Sequence, residues 1–493
     1  MSGTFVRHAP LSLLYTASLV VKAGYDVEIF DARLNPSVWR EEFQARLSRE
    51  TMLVGISVMT GPPVTYAMEI ASLVKATDPA VKVVWGGPFA TFNPQIILED
   101  DGNSDYVVSG YGSKPLLSLV ESLAQGREPS QTPGLFQRGP GGKPIGLPAD
   151  WTVHEILDYR DIPYHLILDY SAYGQLDQKR IIFSLYSSMG CPYQCGFCSS
   201  PALYKTIQGQ RWQPLPVEEV TDHIQYVIDT YGAQYIYFID DDSFVNLDHV
   251  EGIIDSINRR GIKVKLGFRG ARINEIKKMS HAFLDKLAAA GTDILHIGAE
   301  TGSNRLLNLV RKNCTVEDIL ECNRKLGQHP QINAFYNFIV GLPTETLEDL
   351  KATAALMLRL IDDNFRCIIS TPNVFRPLPG TELFDLARKD WDFDVPDTLQ
   401  GWARMEVETE YDLPWMASEN KRFINMMLMA SYFIDDKINK METGNTLLIS
   451  ILKMLNRCYR PIARFRLRRG FSGLLVERTL YNMAQTVLLR SKR

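Results

Sequence analysis

Twice along this chain a short β-branched run gives way to a helical stretch and then to another short run. That alternation leaves few folds open. In the first stretch, strand candidates lie at Tyr25–Phe30, Leu53–Val58, Val81–Trp85 and Tyr106–Ser109, with helical segments at Leu11–Ala23, Pro63–Thr77 and Pro115–Ala124. The first helical pattern stops at Gly24, a residue suited to a helix C-terminus. Strands that alternate with helices run parallel and are covered on both faces, so this stretch predicts an α/β, Rossmann-like layer. Alternation resumes between Arg180 and Phe375. The strand candidates there are Ile181–Leu185, Tyr235–Ile239, Lys263–Phe268, Ile294–Ile297, Asn333–Val340 and Cys367–Phe375. Six successive β/α units predict a partial (β/α)6 barrel with its loops gathered at the strand C-terminal ends. Between the two runs, Gly126–Pro148 is rich in Gly, Pro and polar residues, which is loop or hairpin chemistry. After Pro377 the pattern turns helical, at Asn420–Lys440 and Thr446–Cys458. The predicted organisation is a first domain over residues 1–130, a linker over 131–178, a barrel over 179–382 and a mainly helical region over 383–493.

Composition narrows the partners. With 493 residues, 45% of them hydrophobic, the chain can bury more than one core, and a net charge of −4 gives no general attraction for nucleic acid. The first eight residues lack the apolar core of a signal peptide, and no window reaches 18 uninterrupted apolar residues, so a cytoplasmic protein is expected. Charge is unevenly spread. From Ile451 to Arg493 there are 11 Lys/Arg and one acidic residue, Glu477, which leaves −14 on the rest of the chain. Such a tail suits peripheral contact with an anionic inner membrane surface or an acidic substrate. It equally suits a basic helix folded against an acidic body.

Seven cysteines in so long a chain do not make a disulfide scaffold, and three of them fall within eight positions. They lie in Ser188-Met189-Gly190-Cys191-Pro192-Tyr193-Gln194-Cys195-Gly196-Phe197-Cys198, directly after the first barrel strand candidate. Thiolates select zinc or iron–sulfur clusters. Structural zinc wants four ligands, usually in paired knuckles, and no second pair is present. A cubane held by three thiolates leaves one iron open to bind and orient another molecule. This loop resembles the signature of the radical S-adenosylmethionine (SAM) superfamily, including the aromatic Phe197 before the last cysteine. The resemblance implies a [4Fe–4S] cluster on Cys191, Cys195 and Cys198, with SAM chelating the open iron and cleaved reductively to a 5′-deoxyadenosyl radical. Other segments are similar to the same family in the same order. They imply that Asp241 and Asp242 after the second strand meet the SAM amino group, and that Arg269 or Arg272 after the third meets its carboxylate. They further imply that Glu300 binds the ribose and that Gly341 lets backbone approach the adenine. Arg376-Pro377-Leu378-Pro379-Gly380-Thr381 matches the pattern after the sixth strand. Where many relatives carry Arg before the Gly-Cys, this chain has Met189.

The layer before the barrel resembles the cobalamin-binding subgroup. Pro10-Leu11-Ser12-Leu13-Leu14, Gly55-Ile56-Ser57-Val58-Met59-Thr60, Trp85-Gly86-Gly87-Pro88 and Ser109-Gly110-Tyr111-Gly112 carry that likeness. Small residues at strand ends let a flat corrin approach the backbone, which points to Ser57, Thr60, Gly86, Gly87 and Gly110. The chain departs from the subgroup in three ways. The usual aliphatic first strand has no counterpart, Phe89 stands where relatives often have His, and the usual acidic Gly-Glu-Gly-Glu turn reads Gly110-Tyr111-Gly112-Ser113. The Asp-x-His-x-x-Gly that supplies a lower axial histidine in other cobalamin enzymes is also absent. A protein His–cobalt bond is therefore not expected.

The resemblance implies a cobalamin-dependent radical SAM enzyme that C-methylates an unactivated carbon of a small-molecule or lipid substrate. Cyclisation, ring contraction or anaerobic oxygen insertion are alternatives within the subgroup, and a non-catalytic iron–sulfur sensor is the alternative outside it. Reduced flavodoxin or ferredoxin would supply electrons. His296, in the fourth barrel strand, and Tyr186, at the end of the first, are weaker catalytic candidates. Cys314, Cys322, Cys367 and Cys458 are isolated and read as packing residues.

Overall fold

The computed structural model describes residues 6–129, 132–150, 152–175, 180–205, 207–405, 413–438 and 446–473. The first layer contains α1 (Leu11–Lys22), β1 (Leu53–Ser57), α2 (Pro63–Thr77), β2 (Lys82–Gly86), β3 (Tyr106–Val108) and α3 (Ser113–Ala124). Its three strands run parallel, with Ser57 opposite Gly86 and Val84 opposite Tyr106. Pro63 sits in the first turn of α2, where a missing N–H leaves no gap in the ladder.

Two expectations for this layer are corrected. Tyr25–Phe30 forms no strand, and β1 is the sheet edge. A strand needs a ladder partner, and among the described residues no backbone N–H of residues 26–30 reaches another strand. The apolar pattern there reflects packing instead, with the Phe30 and Phe43 rings 5.5 Å apart. The stretch read as linker also belongs partly to the sheet. β4 (Leu135–Arg138) and β5 (Pro144–Gly146) form a hairpin around the glycine-rich turn, and β4 pairs antiparallel with β3. Gly and Pro marked the turn correctly, but the short Leu135–Arg138 run carries too little alternation to announce a strand.

The rest of the linker lies against the barrel. Tyr164 donates to or accepts from His223 Nε2 at 2.9 Å, and the Tyr170 and Phe183 rings stack at 4.5 Å. The barrel follows as β6 (Ile182–Leu185), α4 (Val217–Tyr231), β7 (Tyr235–Phe238), α5 (Leu247–Arg259), β8 (Lys265–Ala271), α6 (His281–Ala289), β9 (Thr292–Glu300), α7 (Val316–Gly327), β10 (Asn333–Val340), α8 (Leu347–Asp363) and β11 (Cys367–Ile369). All six strands are parallel and neighbours in sequence order, with Asn373–Val374 extending the edge beside β10. Outward residues such as Ile236, Phe238, Leu266, Phe268, Leu295 and Ile297 are fully buried under the helices. The inner positions of the strands therefore face a lumen.

The C-terminal region divides between the two bodies, which sequence pattern did not foresee. Phe384, Phe393, Trp402 and Met405 join the core of the first layer, and α9 (Leu399–Ala403) packs on α2. Beyond it, α10 (Ser418–Ser431) and α11 (Thr446–Arg469) pack on α8. Part of the basic tail is tied to the acidic body, Arg464 and Arg468 to Asp362 and Arg460 to Asp436. Residues beyond 473 lie outside the described residues. No described helix is long and apolar enough to cross a membrane.

Trp402 is 2% exposed, and its ring meets Phe89 edge-on at 5.7 Å. Trp402→Ala should therefore cost about 3–5 kcal/mol, read as a lowered denaturant midpoint; an unchanged midpoint would show that this contact does not hold the C-terminal segment in place.

Candidate functional site

The cysteine loop hangs at the C-terminal end of β6. Ser188–Gly190 pairs antiparallel with Trp212–Pro214 and fixes the entry to the loop. Its exit is pinned by Gly196, whose N–H reaches Val310 O at 3.1 Å and whose carbonyl accepts from Leu383 at 3.0 Å. Cys195 is buried, and Cys191 and Cys198 are partly so. Burial pushes the Cys191 and Cys198 thiols above their ordinary range, a penalty that metal coordination would remove. Arg272 Nη1 lies 2.9 Å from Cys195 Sγ, Nη2 donates to Lys312 O at 3.1 Å, and the guanidinium lies 3.9 Å from the centre of the Tyr193 ring. No three His, Cys, Asp or Glu side chains among the described residues are grouped to hold a single metal ion. In a cubane each thiolate binds a different iron, so such ligands do not converge on one point.

The carboxylates at the strand ends play unequal parts. Asp240 accepts from Ser187 N at 2.7 Å, Ser187 Oγ at 2.6 Å and Ser188 N at 3.0 Å, tying the end of β7 to the end of β6. Burial, partly offset by these donors, pushes its carboxyl up to about 6. Asp241 accepts from Tyr204 Oη at 2.7 Å and Ser200 Oγ at 3.2 Å, just after the cysteine loop. Asp242 is only 1% exposed and faces Glu275, and burial with that like charge raises its carboxyl well above the usual range. Asp242 thus turns into the protein interior. The Nη donors of Arg272 go to Cys195 and Lys312 O.

Glu300 ends β9 with φ +63, a left-handed conformation that a side chain adopts under constraint. Its Oε1 accepts from Lys312 Nζ at 2.5 Å, with both side chains 7% exposed. Burial and the nearby Arg272 would pull the Lys312 ammonium down, but Glu300, together with Cys195, offsets them and the net shift is upward. Oε2 takes no hydrogen bond from the described residues, so an acceptor remains. Gly341 follows β10 with φ +78, and a Cβ there would stand 2.6 Å from Met416 Cε. Trp415 Nε1 donates to its carbonyl at 3.0 Å, so the C-terminal segment lies over this strand end. Phe197 packs beside Leu306, Val310 and Leu342, between the ends of β9 and β10.

Facing these residues is the C-terminal edge of the first layer. Ser57 is exposed, Thr60, Gly86, Gly87 and Gly110 are partly so, and Met59 is 63% exposed. Gly87 has φ +90, and a Cβ there would press within 2.9 Å of Val58 N. A backbone without side-chain cover at these strand ends is a cradle for a flat ligand. Arg376 Nη1 bonds Thr60 O at 3.4 Å and Met405 O at 3.1 Å, bridging the layer and the barrel. Tyr111 Oη meets His154 Nδ1 at 3.0 Å while His154 Nε2 meets Arg211 O at 3.0 Å, so both ring nitrogens are engaged.

Two family models match the chain, the Radical SAM superfamily over residues 185–357 and the B12 binding domain over residues 5–120. The chain carries a radical SAM domain and a B12-binding domain. Its cofactors are accordingly a [4Fe–4S] cluster, SAM and cobalamin. It is 29% identical over 77% of its length to the uncharacterized methyltransferase PH0819 of Pyrococcus horikoshii, covering 78% of that protein. It is 26% identical over 87% of its length to the anaerobic magnesium-protoporphyrin IX monomethyl ester cyclase of Rubrivivax gelatinosus, covering 76% of it. Its fold matches the radical SAM methyltransferase TsrM of Kitasatospora setae, solved with cobalamin and a [4Fe–4S] cluster, with a TM-score of 0.66 and 20% identity over 94% of this chain and 97% of that one.

Inside the radical SAM barrel, His296 projects into the lumen, with its ring 4.4 Å from Phe335 and 5.5 Å from Tyr237. Burial, with the neighbouring Arg269, lowers it to about 4, so it is neutral near pH 7. Tyr186 meets Tyr15 of α1 at 5.6 Å, and burial pushes its phenol up to about 12. Sequence reasoning missed Lys312, which reaches Glu300 only after an intervening helix, and Glu345. Glu345 accepts from Gly341 N, while its Oε1 is buried with no partner. Burial, opposed by the Gly341 and Leu342 N–H groups, raises this carboxyl from an ordinary 4.5 to about 8.

Between those two values the folded chain keeps a proton on Glu345 that the unfolded chain has released, so stability falls as pH rises through that window. Thermal melts of the wild-type chain should lose stability between 4.5 and about 8 more steeply than melts of Glu345→Gln, which cannot ionise. Parallel slopes would show that Glu345 does not hold its proton.

Proposed function

We propose that this chain is a cobalamin-dependent radical SAM C-methyltransferase acting on an unactivated carbon of a small molecule. In this reading Cys191, Cys195 and Cys198 hold the cluster, Glu300 and Gly341 address SAM, and Ser57, Thr60, Gly86, Gly87 and Gly110 line the corrin. The observation that carries it is the juxtaposition of the three-thiol loop, at the mouth of the barrel, with the bare glycine edge of the B12-binding domain. When bound, the cluster and SAM would supply the 5′-deoxyadenosyl radical that takes a hydrogen atom from the substrate, and the corrin would supply the methyl group that replaces it. The protein's own contribution is placement. Arg272 puts a fixed positive charge beside Cys195, which would offset the negative charge of a cluster held there. Lys312 holds one oxygen of Glu300 and leaves the other to accept from a ribose hydroxyl. Trp402, Trp415 and Met416 bring the C-terminal segment over both bodies and limit the access of water.

Ring closure is the second reading, favoured by the likeness to a cyclase over most of the chain. A reduced flavodoxin or ferredoxin is the proposed electron donor. In anaerobic protein made with cobalamin available, wild type and Cys195→Ala should both retain corrinoid, while only wild type forms 5′-deoxyadenosine. Wild type supplied with methyl-labelled SAM should pass the label to a small molecule of a cell extract. Cleavage of SAM with no label transferred would remove methylation and leave ring closure.

Contact with a membrane surface is proposed on one further observation. α11 exposes Ile451, Met454, Leu455, Ile462 and Phe465 along one face, with exposed Arg457 and Arg469 beside it. The full-length chain should float with phosphatidylglycerol vesicles and not with neutral ones, and a Met454→Glu/Phe465→Glu variant should stay at the bottom of the gradient. Equal behaviour of the two proteins would remove the proposal.

A further inference from the structure

One cation in the barrel has no internal use. Arg269 lies on β8, in the middle of the six-stranded sheet. Its neighbour Phe268 and the next residue on the same outer face, Leu266, are 1% and 0% exposed beneath the helices. Side chains alternate along a strand, so Arg269 shares the inner face with Gly267, whose missing side chain leaves room for the Tyr237 ring. Arg269 is nonetheless exposed. On a central strand with a covered outer face, that exposure opens into the lumen. Its backbone carbonyl accepts from Ser243 at 2.7 Å, but among the described residues its guanidinium enters no hydrogen bond or ion pair.

The rings around Arg269 carry no charge. His8 stacks on Tyr237 at 5.2 Å and meets Ser184 Oγ at 2.9 Å, and Tyr237 in turn meets His296. The positive charge of Arg269 acts on His8, His296, Tyr186 and Tyr237, in keeping with its place on the inner face. His8 and His296 are both lowered to about 4, first by burial, and so carry no charge near pH 7. The carboxylates at the top of β7 are already taken, Asp240 by Ser187 and Ser188 and Asp241 by Tyr204 and Ser200. A guanidinium is cationic throughout the working pH range, and inside a partly dry lumen it gains most from an anion that two of its N–H groups can meet.

We propose that Arg269 anchors the substrate, receiving a carboxylate or phosphate group inside the barrel while Tyr237, His296 and Phe335 pack against an apolar or aromatic body. The inference rests on the enzyme reading above and adds the substrate's chemical class. It also separates the two arginines of this strand end: Arg272 serves the cysteine loop, and Arg269, nearer the level of His296, serves the lumen.

The test uses the anaerobic holoenzyme and three probes, phenylacetate, phenyl phosphate and the neutral phenylacetamide, with binding read by calorimetry. Wild type should bind at least one anion more tightly than the amide, and the tighter anion names the group. Arg269→Gln should weaken that anion about tenfold or more and leave the amide unchanged, and Arg269→Lys should recover part of the loss. Equal binding of anion and amide, or equal weakening of both in Arg269→Gln, would overturn the proposal. SAM affinity is measured on the same proteins, and a loss of SAM binding with anion binding intact would assign Arg269 to SAM and overturn it as well. Wild type that cleaves SAM but does not prefer an anion removes the anchor alone, whereas wild type that does not cleave SAM removes the enzyme reading.

Discussion

In a parallel sheet every strand ends along the same edge, so every loop that can carry chemistry gathers there. This chain has two such edges, one closing the B12-binding layer at Ser57 and Gly86 and one opening the barrel at Leu185, Phe238 and Glu300. Neither is a site alone. They become one because Trp402 and Met405 fill the core of the first layer while α10 and α11 pack on α8 of the barrel. Arg376 adds a polar tie, bonding Thr60 and Met405 carbonyls from the segment that follows the last barrel strand. The catalytic half of the chain is thus positioned by residues that contribute nothing to the chemistry.

A site that handles radicals must be dry, and dryness makes each buried charge expensive unless it is paired. The barrel mouth shows three ways of meeting that constraint. Asp240 is surrounded by hydroxyl and amide donors, Glu300 is paired with Lys312, and Glu345 keeps its proton. Arg272 is the fourth case, a buried cation set against a cysteine sulfur and a carbonyl, with Nε left without a partner. Its surroundings make better sense once a cluster draws negative charge onto the three sulfurs. The strained backbone at Glu300 belongs to the same pattern, since φ +63 persists only where neighbouring packing holds it.

Much of this was legible in the sequence because it was written in periodicity and in spacing. Six barrel strands follow from six short apolar runs, and Asn333–Val340 coincides with its strand to the residue. The C-x3-C-x2-C loop and Glu300 stand where the strand pattern puts them. What escaped is tertiary. Tyr25–Phe30 has strand composition but no ladder partner, and Leu135–Arg138 has a partner its composition does not announce. Asp241 and Asp242 are adjacent in sequence, yet one turns to Tyr204 and the other to Glu275, a difference set by the backbone and not by residue type. Lys312 and Glu345 carry no local signal, since each matters through a residue brought near it by the fold.

The lumen shows why fold and substrate separate so cleanly. Outward residues of the barrel strands answer to the helices and are apolar by necessity, whereas inward residues answer only to what enters. Ser184, Tyr237, Arg269, His296 and Phe335 share that inner face, away from the helices that cover the outer one. Among the described residues, the guanidinium of Arg269 gains no hydrogen bond or ion pair from the protein around it. Its presence is therefore explained by a ligand's charge and not by the stability of the barrel, and the same reasoning assigns the surrounding rings to the ligand's body.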